Sequence, residues 1–280
     1  MIVLSHFQVQ QLNPPPDSKA IKQIVSPDLS LTQLEVSLSK DGVAFPCENY
    51  LSWDDVERIK QDENACFRLD ADGIHKIQEF SNRSNRYYSL RSTSSAPTML
   101  ISGIPMHRIK DTNPWEDTHQ KIKALGSIKG TLLDTTTGLG YTAIAASKTA
   151  SWVMSIEIEP AVLTLCRQNP WSLALFNSPN ISLALGDCYD IIESLPDHSF
   201  DQILHDPPTF SLAGDLYSNA FYSELFRVLA PNSKLFHYIG NPNSKTGARV
   251  TRGVIQRLKQ AGFMRITLKP AAFGLRAFKS

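Results

Sequence analysis

An acidic residue followed by two prolines ends an apolar segment in the third quarter of the chain. The stretch reads FDQILHDPPTF, with Asp206, Pro207 and Pro208 following the apolar residues 200–205. Proline fixes its own φ angle and biases the preceding residue toward extended backbone, so the carbonyls here point in set directions. A carboxylate and a fixed carbonyl can together accept two hydrogen bonds from one amine. The segment therefore predicts a site that orients an acceptor group at the end of a strand.

Three further acidic residues occupy the same kind of position. Asp134 ends GTLLD, Glu157 ends WVMSIE, and Asp187 follows ISLAL, and each of these segments has the composition of a buried strand. In an open α/β sheet, ligands bind beyond the carboxyl ends of the strands. Chance supplies one or two such acids, but four acids after four successive strands indicate a ligand site.

The segment after the first of these strands, LLDTTTGLGYTAIAAS, contains Gly138 and Gly140 before a helix of small residues. Glycines allow the backbone to approach a ligand closely. Glu157 lies 23 residues after Asp134, near the spacing of about 20 expected for an acid that accepts ribose hydroxyls. Asp187 follows the next strand, where an adenine amino group would lie. Two alternatives remain open, namely a purely structural glycine turn and an exposed charge at Glu157.

Strands and helices alternate from residue 113 onward. Asn113 is a candidate N-cap, Pro114 suits the first helical position, and Gly126 follows the last. The alternation predicts an α/β, doubly wound parallel sheet, and FMRITL and FGLRAF are expected to close it as an antiparallel pair.

The first part of the chain has a different pattern. Short β-like segments such as LEVSL and GVAFP dominate, and Asp72 and Gly73 predict a hairpin turn. One helix, WDDVERIKQ, is expected after Ser52 as its N-cap. We therefore predict a small β-rich (α+β) N-terminal domain at residues 1–112 and an α/β domain at residues 113–280.

The ordered segments LLDTTTGLG, SIEIEP, LGDCYD and FDQILHDPPTF resemble the motifs of class I S-adenosylmethionine (SAM)-dependent methyltransferases over about residues 112–280. The resemblance implies a Rossmann-like methyltransferase sheet and SAM as cofactor. It also implies that the loop from Asp134 to Gly140 binds the methionine end, Glu157 the ribose and Asp187 the adenine. Thr136 stands where the family often has glycine. The implied cofactor-binding residues are Asp134, Thr136, Gly138, Gly140, Glu157, Asp187 and Cys188.

A closer resemblance involves two longer segments, PTMLISGIPMHRIKDTNPWEDTHQKI and HDPPTFSLAGDLYSNAFYSELFRVL. They resemble a family of predicted methyltransferases known largely from archaea, and the two-domain layout is similar to that of spermidine synthases. The resemblance implies that Asp206, Pro207 and Pro208 are the catalytic residues that orient the acceptor. Amino-group methyltransferases carry a stacking aromatic in the fourth position of this motif, whereas here Phe210 is fifth. The segment DPPTFS looks more like the corresponding motif of certain ribosomal-RNA guanine methyltransferases. Which atom accepts the methyl group therefore stays open.

Basic residues are concentrated in two acid-free segments. Residues 225–280 contain eleven Lys or Arg and no Asp or Glu, and residues 81–110 contain five. Lys245, Arg249 and Arg252 follow the fifth strand of the predicted sheet and are candidates to bind substrate phosphates. RNA or a small anionic acceptor is the predicted partner, with Phe210 as a further substrate contact. A solvated helix face is the alternative.

The cysteine content and the hydropathy of the chain bear on metal binding, nucleophilic catalysis and cellular location. The four cysteines show no metal-binding spacing, so no metal is predicted, and nothing in the sequence activates Cys188 as a nucleophile. The chain has no signal-peptide pattern and no membrane-spanning segment, so a cytoplasmic protein is expected; a homo-oligomer is not readable from the sequence. We predict a SAM-dependent methyltransferase. The alternatives are an aminopropyltransferase that uses decarboxylated SAM, and an inactive RNA-binding module on the same fold.

Overall fold

The computed structural model describes residues 1–16, 19–46 and 49–280, except for the side chains of residues 245 and 246. The chain divides into two compact units. The first unit comprises Met1–Trp115 and Ala161–Leu173, and the second comprises Glu116–Pro160 and Ala174–Ser280. The domain boundary at residue 112 stays a prediction.

The first unit contains three antiparallel sheets in its described part, with strand orders β1-β6-β7, β2-β3-β4-β5 and β11-β10-β9-β8. Its apolar core is formed by the first two sheets together with the two helices of this region. The elements are β1 (Ile2–Leu4), α1 (His6–Val9), β2 (Ile21–Val25), β3 (Leu34–Leu38), β4 (Gly42–Ala44), β5 (Tyr50–Ser52), α2 (Trp53–Gln61), β6 (Phe67–Asp70), β7 (Gly73–Lys76), β8 (Gln78–Ser81), β9 (Arg86–Arg91), β10 (Thr98–Ile101) and β11 (Ile104–Pro105).

The second unit is built on a seven-stranded sheet with the order β14-β13-β12-β15-β16-β18-β17. The first five strands of that order are parallel, and β18 pairs antiparallel with both β16 and β17. The remaining elements of the chain are α3 (Pro114–Leu125), β12 (Thr131–Asp134), α4 (Tyr141–Ser147), β13 (Trp152–Glu157), α5 (Pro160–Gln168), α6 (Ala174–Asn177), β14 (Ile181–Leu185), α7 (Cys188–Glu193), β15 (Phe200–His205), α8 (Asn219–Val228), β16 (Leu229–Tyr238), α9 (Lys245–Gln260), β17 (Met264–Lys269) and β18 (Gly274–Phe278).

Local signals in the sequence define several of these elements. Ser52 caps α2 by accepting a hydrogen bond from the backbone N–H of Asp55. Pro114 begins α3, and Gly126 follows its last residue with a positive φ of 94° that glycine tolerates. The predicted α/β doubly wound fold and its closing antiparallel pair are confirmed.

The predicted hairpin turn at Asp72 and Gly73 is confirmed. β6 and β7 pair from Phe67↔Lys76 to Asp70↔Gly73. The following strand β8 belongs to a different sheet, where it pairs with β9.

Among the described residues, no helix is long and apolar enough to cross a membrane.

Candidate active site

The strand order of the second unit reverses between β12 and β15, which lie side by side and are parallel. The backbone N–H of Thr135, just after β12, donates to the carbonyl of Leu204 near the end of β15 at 3.1 Å. Such a reversal point is where open α/β sheets bind their ligands. The loop after Asp134 and the motif at Asp206 therefore begin from adjacent strand ends.

Asp134 is completely buried at the end of β12. Its Oδ2 accepts hydrogen bonds from the hydroxyls of Thr142 and Ser155, each at 3.0 Å. Its Oδ1 accepts none from the residues that the structure describes. Burial raises the pKa of Asp134 to about 8, although the two hydroxyl hydrogen bonds act in the opposite direction. One buried carboxylate oxygen thus fits a hydrogen-bond donor of a ligand, such as the amino group of SAM.

The two glycines of the following loop both have positive φ angles, 53° at Gly138 and 77° at Gly140. A Cβ built on Gly138 would meet no atom within 4 Å, so open space lies beside the loop at this point. A Cβ on Gly140 would lie 2.7 Å from Cδ2 of Leu175. Gly138 therefore fits close approach to a cofactor, whereas Gly140 is needed for packing.

Glu157 ends β13 and is 7% exposed. Its Oε2 accepts the backbone N–H of Gly138 at 2.9 Å, and its Oε1 accepts that of Glu159 at 3.0 Å. Burial raises the pKa of Glu157 to about 7, while the backbone N–H groups act to lower it. This carboxylate links the glycine loop to the end of the neighbouring strand, and its assignment to the ribose stays a prediction.

Asp187 is the N-cap of α7, where its Oδ1 accepts the backbone N–H of Tyr189 at 2.9 Å. The next residue, Cys188, is 5% exposed. Burial raises the pKa of the Cys188 thiol far above its ordinary value, so the thiol stays protonated. Asp187 is half-buried, and its assignment to adenine stays a prediction.

The Asp206-Pro207-Pro208 motif is tied to the glycine loop through its backbone. The carbonyl of Asp206 accepts the hydroxyl of Thr136 at 2.8 Å, and the carbonyl of Pro208 accepts the hydroxyl of Tyr217 at 3.0 Å. The carbonyl of Pro207 accepts no hydrogen bond within the described part of the chain. Thr136 therefore connects the loop that follows Asp134 to the Asp206-Pro207-Pro208 motif.

Phe210 lies two residues beyond the motif and is 52% exposed. Its ring packs edge-on against the ring of Tyr217, with centroids 5.5 Å apart and planes at 71°. Because Tyr217 also holds the Pro208 carbonyl, Phe210 is supported by the motif that it follows. An exposed ring on such a support can stack on a planar acceptor.

A buried lysine that the sequence analysis missed contacts Asp206. Lys121, on α3, is 3% exposed, and its Nζ lies 2.6 Å from Asp206 Oδ2 and 3.0 Å from Asp117 Oδ2. Burial alone would lower the pKa of Lys121, but the charges of Asp206 and Asp117 outweigh it and raise this pKa above its ordinary value. The ammonium group is therefore permanently charged and lies 4.7 Å from the centroid of the Tyr238 ring.

His205, beside Asp206, is a structural residue. It is fully buried, its Nε2 donates to the Leu216 carbonyl at 2.9 Å, and its Nδ1 accepts the hydroxyl of Thr135 at 2.7 Å. Burial lowers the pKa of His205 to about 3. Because both ring nitrogens are occupied and the ring stays neutral, His205 does not act as a base.

The basic C-terminal residues divide into two groups. Arg227 pairs with Asp197 and Glu224, and Lys279 is buried against carbonyls at the end of α8, so both stabilise the fold. Arg249 and Arg252 are exposed on α9 and form no ion pair with described residues. The side chain of Lys245 lies outside the described residues. Substrate binding by these three residues stays a prediction.

Comparisons with known proteins agree with this architecture. No family model matches the chain. Among solved structures, a spermidine synthase in complex with the transition-state analogue AdoDATO superposes with a TM-score of 0.60 at 13% identity, covering 73% of each chain. The spermidine synthase of Thermotoga maritima gives 0.55 at 15%, covering 73% of this chain and 72% of that one. MNMC2 from Aquifex aeolicus gives 0.51 at 17%, covering 68% and 70%. These likenesses show the fold.

One curated protein shows the family. The uncharacterized protein MJ1233 of Methanocaldococcus jannaschii is 44% identical over 246 residues, which cover 87% of this chain and 83% of that protein. The match is long enough to include much of both units. The chain therefore belongs to the same family as MJ1233.

Proposed function

We propose that the protein is a SAM-dependent methyltransferase whose acceptor is bound at Asp206-Pro207-Pro208. The observation that carries the proposal is the hydrogen bond between Thr136 and the Asp206 carbonyl. It connects a loop that fits the cofactor to a motif that fits an acceptor, on two adjacent parallel strands. The acceptor class is a planar amine-bearing group, and an RNA base is one member of that class.

The cofactor residues would act through their hydrogen-bonding groups. Asp134 offers its Oδ1 to the amino group of SAM, Gly138 leaves room for the ligand, and Glu157 offers its carboxylate to the ribose hydroxyls. When bound, SAM supplies an electrophilic methyl group on its sulfonium. The protein's contribution is then chiefly positioning.

The acceptor residues would orient an N–H group and balance its charge. The Pro207 carbonyl and the Asp206 carboxylate accept hydrogen bonds from the acceptor nitrogen, which directs the nitrogen lone pair toward the methyl group. Asp206 would also stabilise the positive charge that develops on this nitrogen as the C–N bond forms and the methyl–sulfur bond breaks, and the nitrogen would then release its proton to solvent. Lys121 and Thr136 hold Asp206 in place through its side chain and its carbonyl.

Aminopropyl transfer from decarboxylated SAM is the second candidate. The likeness of the fold to two spermidine synthases favours it. Decarboxylated SAM lacks a carboxylate and is more positive, so its site should offer additional acidic side chains. The loop TTTGLG that follows Asp134 offers none, which supports methyl transfer.

The experiment that tests the proposal is transfer of labelled methyl groups. Purified protein is incubated with [methyl-³H]SAM and separate fractions of RNA and small polar metabolites. Asp206→Asn keeps the size of the side chain but removes its charge, and should reduce the incorporated label at least 100-fold with little change in cofactor affinity. Asp215→Asn, at an exposed acid of the same segment, is the matched control. Equal labelling by wild type and Asp206→Asn would refute the role of Asp206.

A further inference from the structure

Two exposed aromatic rings lie side by side on the β8–β9 hairpin of the first unit. Phe80 and Tyr87 are cross-strand partners whose ring centroids are 4.9 Å apart, with planes at 52°. They are 43% and 60% exposed, whereas the adjacent Tyr88 is 4% exposed. Neighbouring residues of a strand point to opposite faces, so Tyr88 contributes to the interior and Tyr87 to the outer face. We call Phe80 and Tyr87 the aromatic pair.

The surroundings of the aromatic pair are positively charged. No acidic residue occurs from residue 81 to residue 110. Arg86 and Arg91 belong to β9, and neither forms an ion pair with the residues that the structure describes. Glu79 is the acid on β8, and its Oε1 accepts a hydrogen bond from Gln168 at 3.3 Å. The hairpin therefore combines apolar ring faces with uncompensated guanidinium groups.

The aromatic pair also lies at an edge. The strand order β11-β10-β9-β8 leaves β8 as the outermost strand of its sheet. Tyr87 and Arg91 point to the same face of β9 because they are four residues apart, which corresponds to about 13 Å along the strand. An extended ligand with flat rings and repeated negative charges would match this arrangement of rings and cations.

We propose that the outer face of the β8–β9 hairpin binds single-stranded nucleic acid. Phe80 and Tyr87 stack on unpaired bases, and Arg91, on the same face of β9 as Tyr87, attracts the phosphates. A duplex hides the faces of its bases and is therefore a poor ligand. An apolar protein surface would match the rings but leave the arginines without partners. This inference does not rest on the proposed methyl transfer.

The test is fluorescence anisotropy with the full chain and 12-nucleotide labelled probes of mixed sequence. Wild-type protein should bind single-stranded RNA at least tenfold more tightly than an RNA duplex of equal length. The double substitution Phe80→Ala, Tyr87→Ala should weaken single-strand binding at least tenfold, because both stacking contacts with bases are lost. A single-stranded DNA probe of the same length tests whether the surface distinguishes RNA from DNA. Equal affinity assigns recognition to bases and phosphates, and a preference for RNA adds the 2′-hydroxyl.

Matched variants separate stacking from folding. Phe80→Tyr, Tyr87→Phe keeps both rings and should bind within about threefold of wild type. Tyr50→Ala removes a 45% exposed tyrosine from another sheet of the same unit and should have no effect. The plot of log affinity against log salt concentration should become shallower in Arg91→Gln. The magnitude of its slope should fall by about 0.7, the value for one phosphate contact on a single strand. Thermal denaturation checks that each variant is folded.

Three results would overturn the inference. The first is unchanged single-strand affinity in the double alanine variant, and the second is an equal loss of affinity in Tyr50→Ala. The third is sedimentation evidence that the wild-type chain self-associates through the aromatic pair and binds no nucleic acid. Cofactor binding by the same variants is measured by calorimetry, and its affinity should stay within twofold of wild type. A failure of nucleic-acid binding is thereby distinguished from a failure of the proposed methyl transfer.

Discussion

The Nζ atom of Lys121 lies 2.6 Å from Oδ2 of Asp206 and 3.0 Å from Oδ2 of Asp117, so a single buried ammonium group joins helix α3 to the end of strand β15. Lys121 thereby fixes the carboxylate of Asp206 just beyond β15, where the proposed acceptor would bind.

Replacing Lys121 with methionine should destabilise the protein strongly. Lys121→Met leaves the buried Asp117 and the partly buried Asp206 as two like charges without their shared lysine, and breaking a buried ion pair costs about 3–5 kcal/mol. The free energy of unfolding is measured by urea denaturation at pH 7.5. Lys123→Met, at an exposed lysine of the same helix, should change it by less than about 0.5 kcal/mol. A Lys121→Met variant as stable as wild type would contradict this account.

Removing the hydroxyl of Thr136 should affect transfer more than cofactor binding. Thr136→Val keeps the branched shape but loses the hydrogen bond to the Asp206 carbonyl, so the acceptor motif is held less firmly. We expect transfer of labelled methyl groups to fall about tenfold, while the Kd of S-adenosylhomocysteine changes less than threefold. Thr136→Ser retains the hydroxyl and should restore transfer. Wild-type transfer in Thr136→Val, with a loss in Thr136→Ser, would show that the side-chain shape matters and the hydrogen bond does not.

Cofactor binding should weaken as the pH falls through neutrality. Burial raises the pKa of Glu157 to about 7, so its carboxylate is ionised above this value and protonated below it. The ionised form is the better acceptor for ribose hydroxyls, and Asp134, whose pKa is raised to about 8, ionises over the same range. Affinity for S-adenosylhomocysteine should therefore rise at least tenfold from pH 6 to pH 8. Calorimetric titration across this range measures it. Glu157→Gln should bind more weakly at pH 8 and show a flatter pH profile; an unchanged profile would assign the titration to another group.

The two loop glycines should respond differently to alanine. Both residues have positive φ angles, which cost a non-glycine residue about 1–2 kcal/mol. Gly140→Ala also brings its Cβ against Leu175 and should be the less stable variant in denaturation experiments. The Cβ of Gly138→Ala meets no atom of the protein within 4 Å, but it fills the space assigned to the cofactor. This variant should therefore bind S-adenosylhomocysteine at least tenfold more weakly. Wild-type affinity in Gly138→Ala would mean that the loop does not approach the ligand.

Strand ends were predictable because each one is recorded locally in the sequence. The segments WVMSIE, ISLAL and FDQILH coincide with β13, β14 and β15, since an apolar run followed by an acid or by proline defines its own boundary. The glycine loop and the acids at the strand ends were found for the same reason. The parallel, doubly wound character of the sheet followed from the alternation of strands and helices.

The contacts that shape the candidate site were not predictable in this way. The spacing of Asp117 and Lys121 in α3 is readable as a helical ion pair, but the approach of Lys121 to Asp206 joins residues 85 positions apart and depends on tertiary packing. Likewise, adjacent tyrosines in the sequence do not reveal which one is exposed. The register Phe80↔Tyr87 decides that Tyr87 lies on the outer face.

The measurement that tests the central claim most directly is calorimetric titration of wild-type protein with S-adenosylhomocysteine and, separately, with methylthioadenosine. Both ligands carry the adenosine and the sulfur, but the first also carries the amino-acid end of SAM. The account predicts that S-adenosylhomocysteine binds at least tenfold more tightly, because Asp134 and the loop beside Gly138 bind that end. A preference for methylthioadenosine would indicate aminopropyl transfer, and binding of neither ligand would contradict a SAM-dependent enzyme.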